Sequence, residues 1–220
     1  MELENNIAAL CGSAALPPKF SHTGGSENYY TFPLDIKRLS GTFDRINIVA
    51  RHSLAGKLDF DFAGALRLRV TGEVRSFNNK SGEGSRLIIT AFARDMAASD
   101  CPDENSVHLR GVICKPPTFR RTPMGRQICD IMLAVNRRYG RSDYIPCIAW
   151  GNIAQELSGR AVGDGVALNG RLQSRAYIKA TPDGPQERTA YEVSVISLAE
   201  GGGDETDEAD NQPPQSGGAI

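Results

Sequence analysis

The sequence predicts an all-β chain: two tandem five-stranded Greek-key barrels followed by a disordered acidic tail. Three observations carry that prediction. Short runs rich in β-branched and aromatic residues alternate apolar with polar, and clusters of Gly, Pro, Asn and Ser break them. One pattern occurs twice, about 100 residues apart. Residues 201–220 hold almost no apolar side chains.

The repeat is legible residue by residue. Gly12, Pro17, Pro18 and Phe20 recur as Gly111, Pro116, Pro117 and Phe119, each 99 positions later. Phe32, Leu34, Ile36 and Arg38 recur at the same offset as Ile131, Leu133, Val135 and Arg137. A one-residue slip then aligns Ile48 with Ile148, and "RVTGEVRS" (69–76) aligns with "ALNGRLQS" (167–174). A period this long exceeds a solenoid repeat and indicates two homologous domains. The expected division is 1–95 for the first, 96–105 for a linker, 106–199 for the second and 200–220 for the tail.

Within the second copy, strands are expected near 106–114, 127–138, 144–150, 165–178 and 189–198. "NIAQELSGR" (152–160) supplies a short helix between the third and fourth. Five strands with a helix after the third is the order of an OB-fold. In the first copy, "GKLDFDFAGA" (56–65) is a poor helix because it carries two glycines. Its hairpin, 68–94, is clearer, with turn chemistry in "NNKSGEGS". The tail is too polar to bury a core.

Composition excludes several classes. At 40% hydrophobic and 23% charged, the chain resembles an ordinary globular protein, with no apolar run of 18 residues to span a membrane. The acidic N-terminus "MELENNIAAL" lacks the basic region of a secretory signal. Cys11, Cys101, Cys114, Cys129 and Cys147 form no CxxC, and the expectation is five free thiols in a reducing cytosol. His22, His52 and His108 are scattered, so no metal site and no cofactor are expected. Net charge is −1, but the last 20 residues carry five acids and no base, which leaves +4 on residues 1–200. A mildly basic body suits a polyanionic partner. No HExxH, GxSxG or GxxxxGK[ST] motif occurs, and "SGEGS" between two strands lacks the Lys-Ser/Thr of a phosphate loop. Asp183 and Glu187 sit in a Pro/Gly-rich hairpin tip, as a solvated turn would.

The informative stretch is "DIMLAVNRRYGRSDYIPCIAWG" (130–151). Alternate residues of a strand share a face. Arg137 and Tyr139 therefore lie together with Arg138 opposite, Tyr144 shares a face with Trp150, and Arg171, Arg175, Tyr177 and Lys179 share another. Rings interleaved with cations suit single-stranded nucleic acid, whose unpaired bases stack and whose phosphates attract Lys and Arg. The first copy offers Arg38, Arg75, Phe77, Lys80 and Arg86. The competing readings are a core position for Trp150, barrel-end packing for Tyr144 and Tyr177, a solvated edge for Arg137 and Arg138, and plain hairpin packing for Phe77.

The second copy resembles the bacterial single-stranded DNA-binding proteins. The matching residues are "GVICKPPTFRRTPMGRQICDIMLAVNRR" (111–138), "CIAWG" (147–151), "VGDGVALNGRLQSRAY" (162–177) and "RTAYEVSV" (188–195). The resemblance implies an OB-fold that coats single strands, no enzymatic activity, no cofactor, a cytoplasmic nucleoid location, and aromatics at Tyr144, Trp150 and Tyr177 that include base-stacking places. It implies a homodimer presenting four OB-folds. The family's tail ends in acids followed by Pro-Phe and docks replication and repair partners; here the chain ends "SGGAI", without the aromatic. "NRRYGRSDYIPC" is also shorter than the family's usual loop, and the first copy matches weakly. The expected function is binding and protection of single-stranded DNA in replication, recombination and repair. Two alternatives remain open from sequence: an OB-fold primosome or recombination accessory acting through protein partners, separated by weak DNA affinity, and a nuclease, separated by metal-dependent cleavage.

Overall fold

The computed structural model describes residues 5–58, 66–79, 85–137, 140–181 and 184–199. Among them, the first half supplies β1 (Asn6–Ala14), β2 (Lys19–Gly24), β3 (Glu27–Lys37), β4 (Phe43–Arg51), α1 (His52–Ala55), β5 (Leu66–Asn78) and β6 (Leu87–Ala98). The second half supplies β7 (Glu104–Ile113), β8 (Thr118–Arg121), β9 (Gln127–Asn136), β10 (Ser142–Trp150), α2 (Gly151–Ser158), β11 (Gly165–Thr181) and β12 (Gly184–Leu198). Each half is an OB-fold barrel. The first runs β3–β4–β6–β5–β1 and closes where β1 pairs with β3 at Ser13 opposite Asp35. The second runs β9–β10–β12–β11–β7 and closes at Val112 opposite Ala134.

Period-2 alternation builds both cores. Phe32, Leu34 and Ile36 of β3 point inward, as do Ile131, Leu133 and Val135 of β9. Each such side chain contributes about 1.5–3 kcal/mol on burial. Closure brings backbones so near that a side chain is excluded: a Cβ on Gly12 would lie 2.5 Å from the Asp35 carbonyl oxygen. Gly111 meets the Ala134 carbonyl in the same way, which explains why the repeat keeps glycine at both places.

Several expectations need correction. The slip is not at Ile48. Ile48 pairs with Phe32 and Cys147 with Ile131, so Ile48 corresponds to Cys147 and the offset stays 99 through β4 and β10. It falls to 98 at β5 and β11, where the Asn6 side chain brackets the Val74 backbone and Asn105 brackets Leu172. Two short strands, β2 and β8, were not expected; both are exposed throughout or nearly so and carry no apolar alternation. The first copy's helix is one turn, and residues 59–65 lie outside the described residues. Strand β6 continues to Ala98, into the segment read as linker.

The halves are joined as one sheet. β1 pairs antiparallel with β7 from Asn6 opposite Leu109 to Cys11 opposite Glu104. At that end Cys11 and Cys101 form a disulfide, with Cα atoms 6.6 Å apart. This corrects the expectation of five free thiols: a pairing across 90 residues has no local signal in sequence. Arg67 donates to the Cys101 carbonyl at 2.7 Å and fixes the connector beside the bridge. Cys129 and Cys147 are buried free thiols, and burial pushes both up from the usual thiol range. Among the described residues no helix is long and apolar enough to cross a membrane.

Candidate nucleic-acid interface

Strand β10 alternates sharply. Ile145, Cys147 and Ala149 enter the core, which sends Tyr144 and Trp150 to the outer face. They are 51% and 41% exposed, far above a core aromatic, and this decides against the core reading for Trp150. Next along the sheet, β12 joins β10 in parallel at Ile148 opposite Ser194, and Arg171 of β11 lies opposite Ser194. Arg171, Arg175, Tyr177 and Lys179 follow on that side of β11. The Arg175 guanidinium lies 5.9 Å from the Tyr177 ring centroid, a cation–π pair. Its side chain is 61% exposed, with Glu192 4.0 Å away. Arg171 and Tyr177 are half-buried and Lys179 is exposed. Arg138 and Tyr139 lie outside the described residues.

Arg137 is placed elsewhere. Its guanidinium grips Asp143, whose side chain is fully buried, and also donates to the Ser76 carbonyl at 3.2 Å. Asp143 accepts the Ser76 backbone N–H, and Ser76 Oγ accepts from the Tyr144 backbone N–H at 2.7 Å. The mirror arrangement occurs at the other end. Arg38 grips buried Asp44, Asp44 accepts the Ser174 N–H at 3.0 Å, and Ser174 Oγ accepts the Arg45 N–H at 2.9 Å. The hydrogen bonds that Arg38 donates to Asp44 raise the proton affinity of its guanidinium. Two hairpins thus cross between the barrels under pseudo-twofold symmetry, β5–β6 onto β10 and β11–β12 onto β4. Asn47 adds a hydrogen bond to the Tyr191 hydroxyl at 3.2 Å. Arg38 and Arg137 therefore have their charges compensated inside this junction.

Arg75 stands beside the junction, 3.7 Å from Asp143 and paired with Glu73. Burial and the neighbouring Arg137 lower its proton affinity. Phe77, two residues on, is 49% exposed on the same side of β5. Arg86 is exposed at the start of the returning strand, and Lys80 lies outside the described residues.

Sequence reasoning missed a row of rings in the first barrel. His22 stacks on Tyr29 with centroids 4.8 Å apart and planes 7° apart. Tyr29 lies 5.9 Å from Phe92, and the Arg75 guanidinium sits 5.5 Å from the Phe92 centroid. The row crosses β2, β3, β6 and β5, so its members are up to 70 positions apart and only the sheet order unites them. On the opposite side of β3, Tyr30 meets Phe20 and His52.

This geometry defines a twin OB-fold chain with aromatic and cationic side chains on the outer sheet. Comparison with known proteins agrees. Residues 104–199 match the single-strand binding protein family. A single-stranded DNA-binding protein of Bacillus cereus is 31% identical over 124 residues, covering 51% of this chain and 72% of that protein. One from Thermus thermophilus is 31% identical over 98 residues, covering 43% of this chain and 36% of that one. The crystal structure of the wild-type single-stranded DNA binding protein from Thermus aquaticus superposes with a TM-score of 0.71 at 19% identity, covering 96% of each chain. That likeness shows a shared fold across both barrels. The chain belongs to the single-strand binding protein family.

Proposed function

We propose that the chain binds and protects single-stranded DNA by stacking bases on exposed rings and neutralising phosphates, with no chemical step. One observation carries the reading: Tyr144 and Trp150 are held outward on one strand of the barrel, with the Arg175–Tyr177 pair on the adjoining hairpin. The relatives' own names, single-stranded DNA-binding protein, support it. Tyr144, Trp150 and Tyr177 supply stacking, and Arg171, Arg175 and Lys179 supply charge. Phe77 and Arg86 extend the surface onto the β5–β6 hairpin. Arg38 and Arg137 are assigned to the junction, and Arg75 to its edge.

The assigned setting is replication, recombination and repair in the bacterial nucleoid, with residues 1–95 and 106–199 as the two OB-fold units. A homodimer would bring four such units together, and light scattering at micromolar concentration tests it: a mass near 47 kDa is expected, twice the chain's 23.7 kDa. The function itself is tested through the lone tryptophan. Titration with a thymine oligomer should quench Trp150 fluorescence, weaken as salt rises, and find no counterpart with duplex. Stacking contributes about 1–3 kcal/mol per base, so Trp150→Ala should weaken binding roughly 5- to 150-fold in a folded chain. No quenching, together with no gel shift, would overturn the function.

A further inference from the structure

We propose that the first barrel carries its own single-strand contact surface, built on His22, Tyr29 and Phe92 with Arg51 and Arg94 alongside. This rests on the function proposed above and extends it to a half of the chain outside the family match, which begins at residue 104.

The argument is a comparison of equivalent places fixed by strand register. Trp150 pairs with Ile128 in the second barrel, and Arg51 pairs with Tyr29 in the first, so Arg51 stands where Trp150 does and Tyr29 where buried Ile128 does. Tyr144 lies opposite Ala134, and Arg45 opposite Asp35, so Arg45 takes the place of Tyr144. The parallel pairs Val49–Phe92 and Ile148–Ser194 put Phe92 where the second barrel has a serine. Pairing across β2 puts His22 where β8 has Arg120.

Rings and cations have therefore exchanged places on one face. The first barrel has no counterpart to the two exposed aromatics of β10, yet its outer sheet carries His22 and Phe92, each in ring contact with Tyr29. The face needs none of these rings for closure, because the second barrel closes with Arg120 and Ser194 there. Its charge also suits phosphate. Arg51 is exposed beside Tyr29, and the carboxylate of Glu73 is shared between Arg75 and Arg94. Base faces and phosphates are what such a surface recognises, through stacking and counterion release.

The test cross-links the full chain to a thymine oligomer containing 5-iododeoxyuridine and maps the joined peptides by mass spectrometry. The expected result is cross-links in residues 19–30 or 87–98 in addition to the second barrel. In a Trp150→Ala background, Tyr29→Leu should weaken the remaining binding about tenfold, while Tyr29→Phe should hold it. His22→Ala, at an exposed position, should reduce binding in the same direction without moving the unfolding midpoint. A chain that binds the oligomer with no cross-link in residues 19–30 or 87–98, or with Tyr29→Leu and His22→Ala at parental affinity, overturns this inference and leaves the proposed function standing. A chain that binds no oligomer removes both.

Discussion

Asp143→Ala separates a structural arginine from a DNA-binding one. The Asp143 carboxylate is fully buried and accepts from Arg137, through Nε and Nη2, and from the Ser76 backbone N–H, with Arg75 at 3.7 Å. Removing one partner of a buried pair costs about 3–5 kcal/mol because the other charge stays behind. Arg137 keeps 25% side-chain exposure, so it recovers some hydration and the lower end applies, about 3 kcal/mol. With a urea slope of roughly 2–3 kcal/mol/M for a chain this size, the midpoint should fall by about 1–1.5 M. The assay is urea unfolding followed by Trp150 fluorescence. Arg137→Ala should show a comparable loss, since it strands the carboxylate. Neither variant should lower the salt slope of oligonucleotide binding when measured in folded protein. A midpoint shift equivalent to under about 0.5 kcal/mol, the range of ordinary surface substitutions, would refute the junction assignment. So would a salt slope reduced by about one in Arg137→Ala, the mark of a lost phosphate contact.

Other outcomes follow from the same geometry. Denatured, unreduced protein should titrate three free thiols, rising to five after reduction, and five before reduction would exclude the Cys11–Cys101 bridge. Closing a loop of 90 residues should contribute up to about 4.6 kcal/mol, so reduction should lower the unfolding midpoint more than any single surface change. Arg175→Ala should lower the salt slope by about one and weaken binding uniformly across base sequences, checked by fluorescence titration at several salt concentrations. Burial raises the Tyr191 hydroxyl above its usual 10.0. The unfolded chain ionises first, so stability present at neutral pH is lost as pH climbs past 10 towards the folded value, and Tyr191→Phe should remove that dependence at a cost of about 1 kcal/mol.

Sequence alone gave the five barrel strands of the second half to within about five residues, because each carries an apolar run that enters the core, whereas the exposed β8 offered no such pattern. Closure glycines are legible as recurring Gly12 and Gly111, although their reason, a carbonyl too close for a side chain, lies in the meeting of strands distant in sequence. The junction was half visible. Asp44 and Asp143 recur at the same 99-residue offset as Arg38 and Arg137, and Ser76 and Ser174 close the motif. Extending the repeat from apolar to charged positions would have exposed it. Arginine six residues before aspartate on adjacent strands looks like a solvated edge until the partner hairpin lands on it. The disulfide and the His22–Tyr29–Phe92 row had no such signal, since sheet order and the β6–β7 connector, rather than spacing, bring those residues together.

The two copies within one chain act as an internal comparison. What they share is the frame: the inward apolar residues, the glycines at closure, the asparagine brackets and the arginine–aspartate–serine junction. What they do not share is the outer face, where Trp150 faces Arg51, Tyr144 faces Arg45 and Ser194 faces Phe92 as equivalents. The frame is constrained twice over, because each junction residue serves both its own barrel and the crossing hairpin. A substitution at Asp44 or Asp143 strands a buried charge, whereas one at an outer position exchanges one solvent-facing group for another at small cost in stability. Outer faces are therefore free to diverge while the barrels stay locked in one orientation. A strand passing over this pair would meet two surfaces of different chemistry in fixed relation, which a pair of identical copies does not offer.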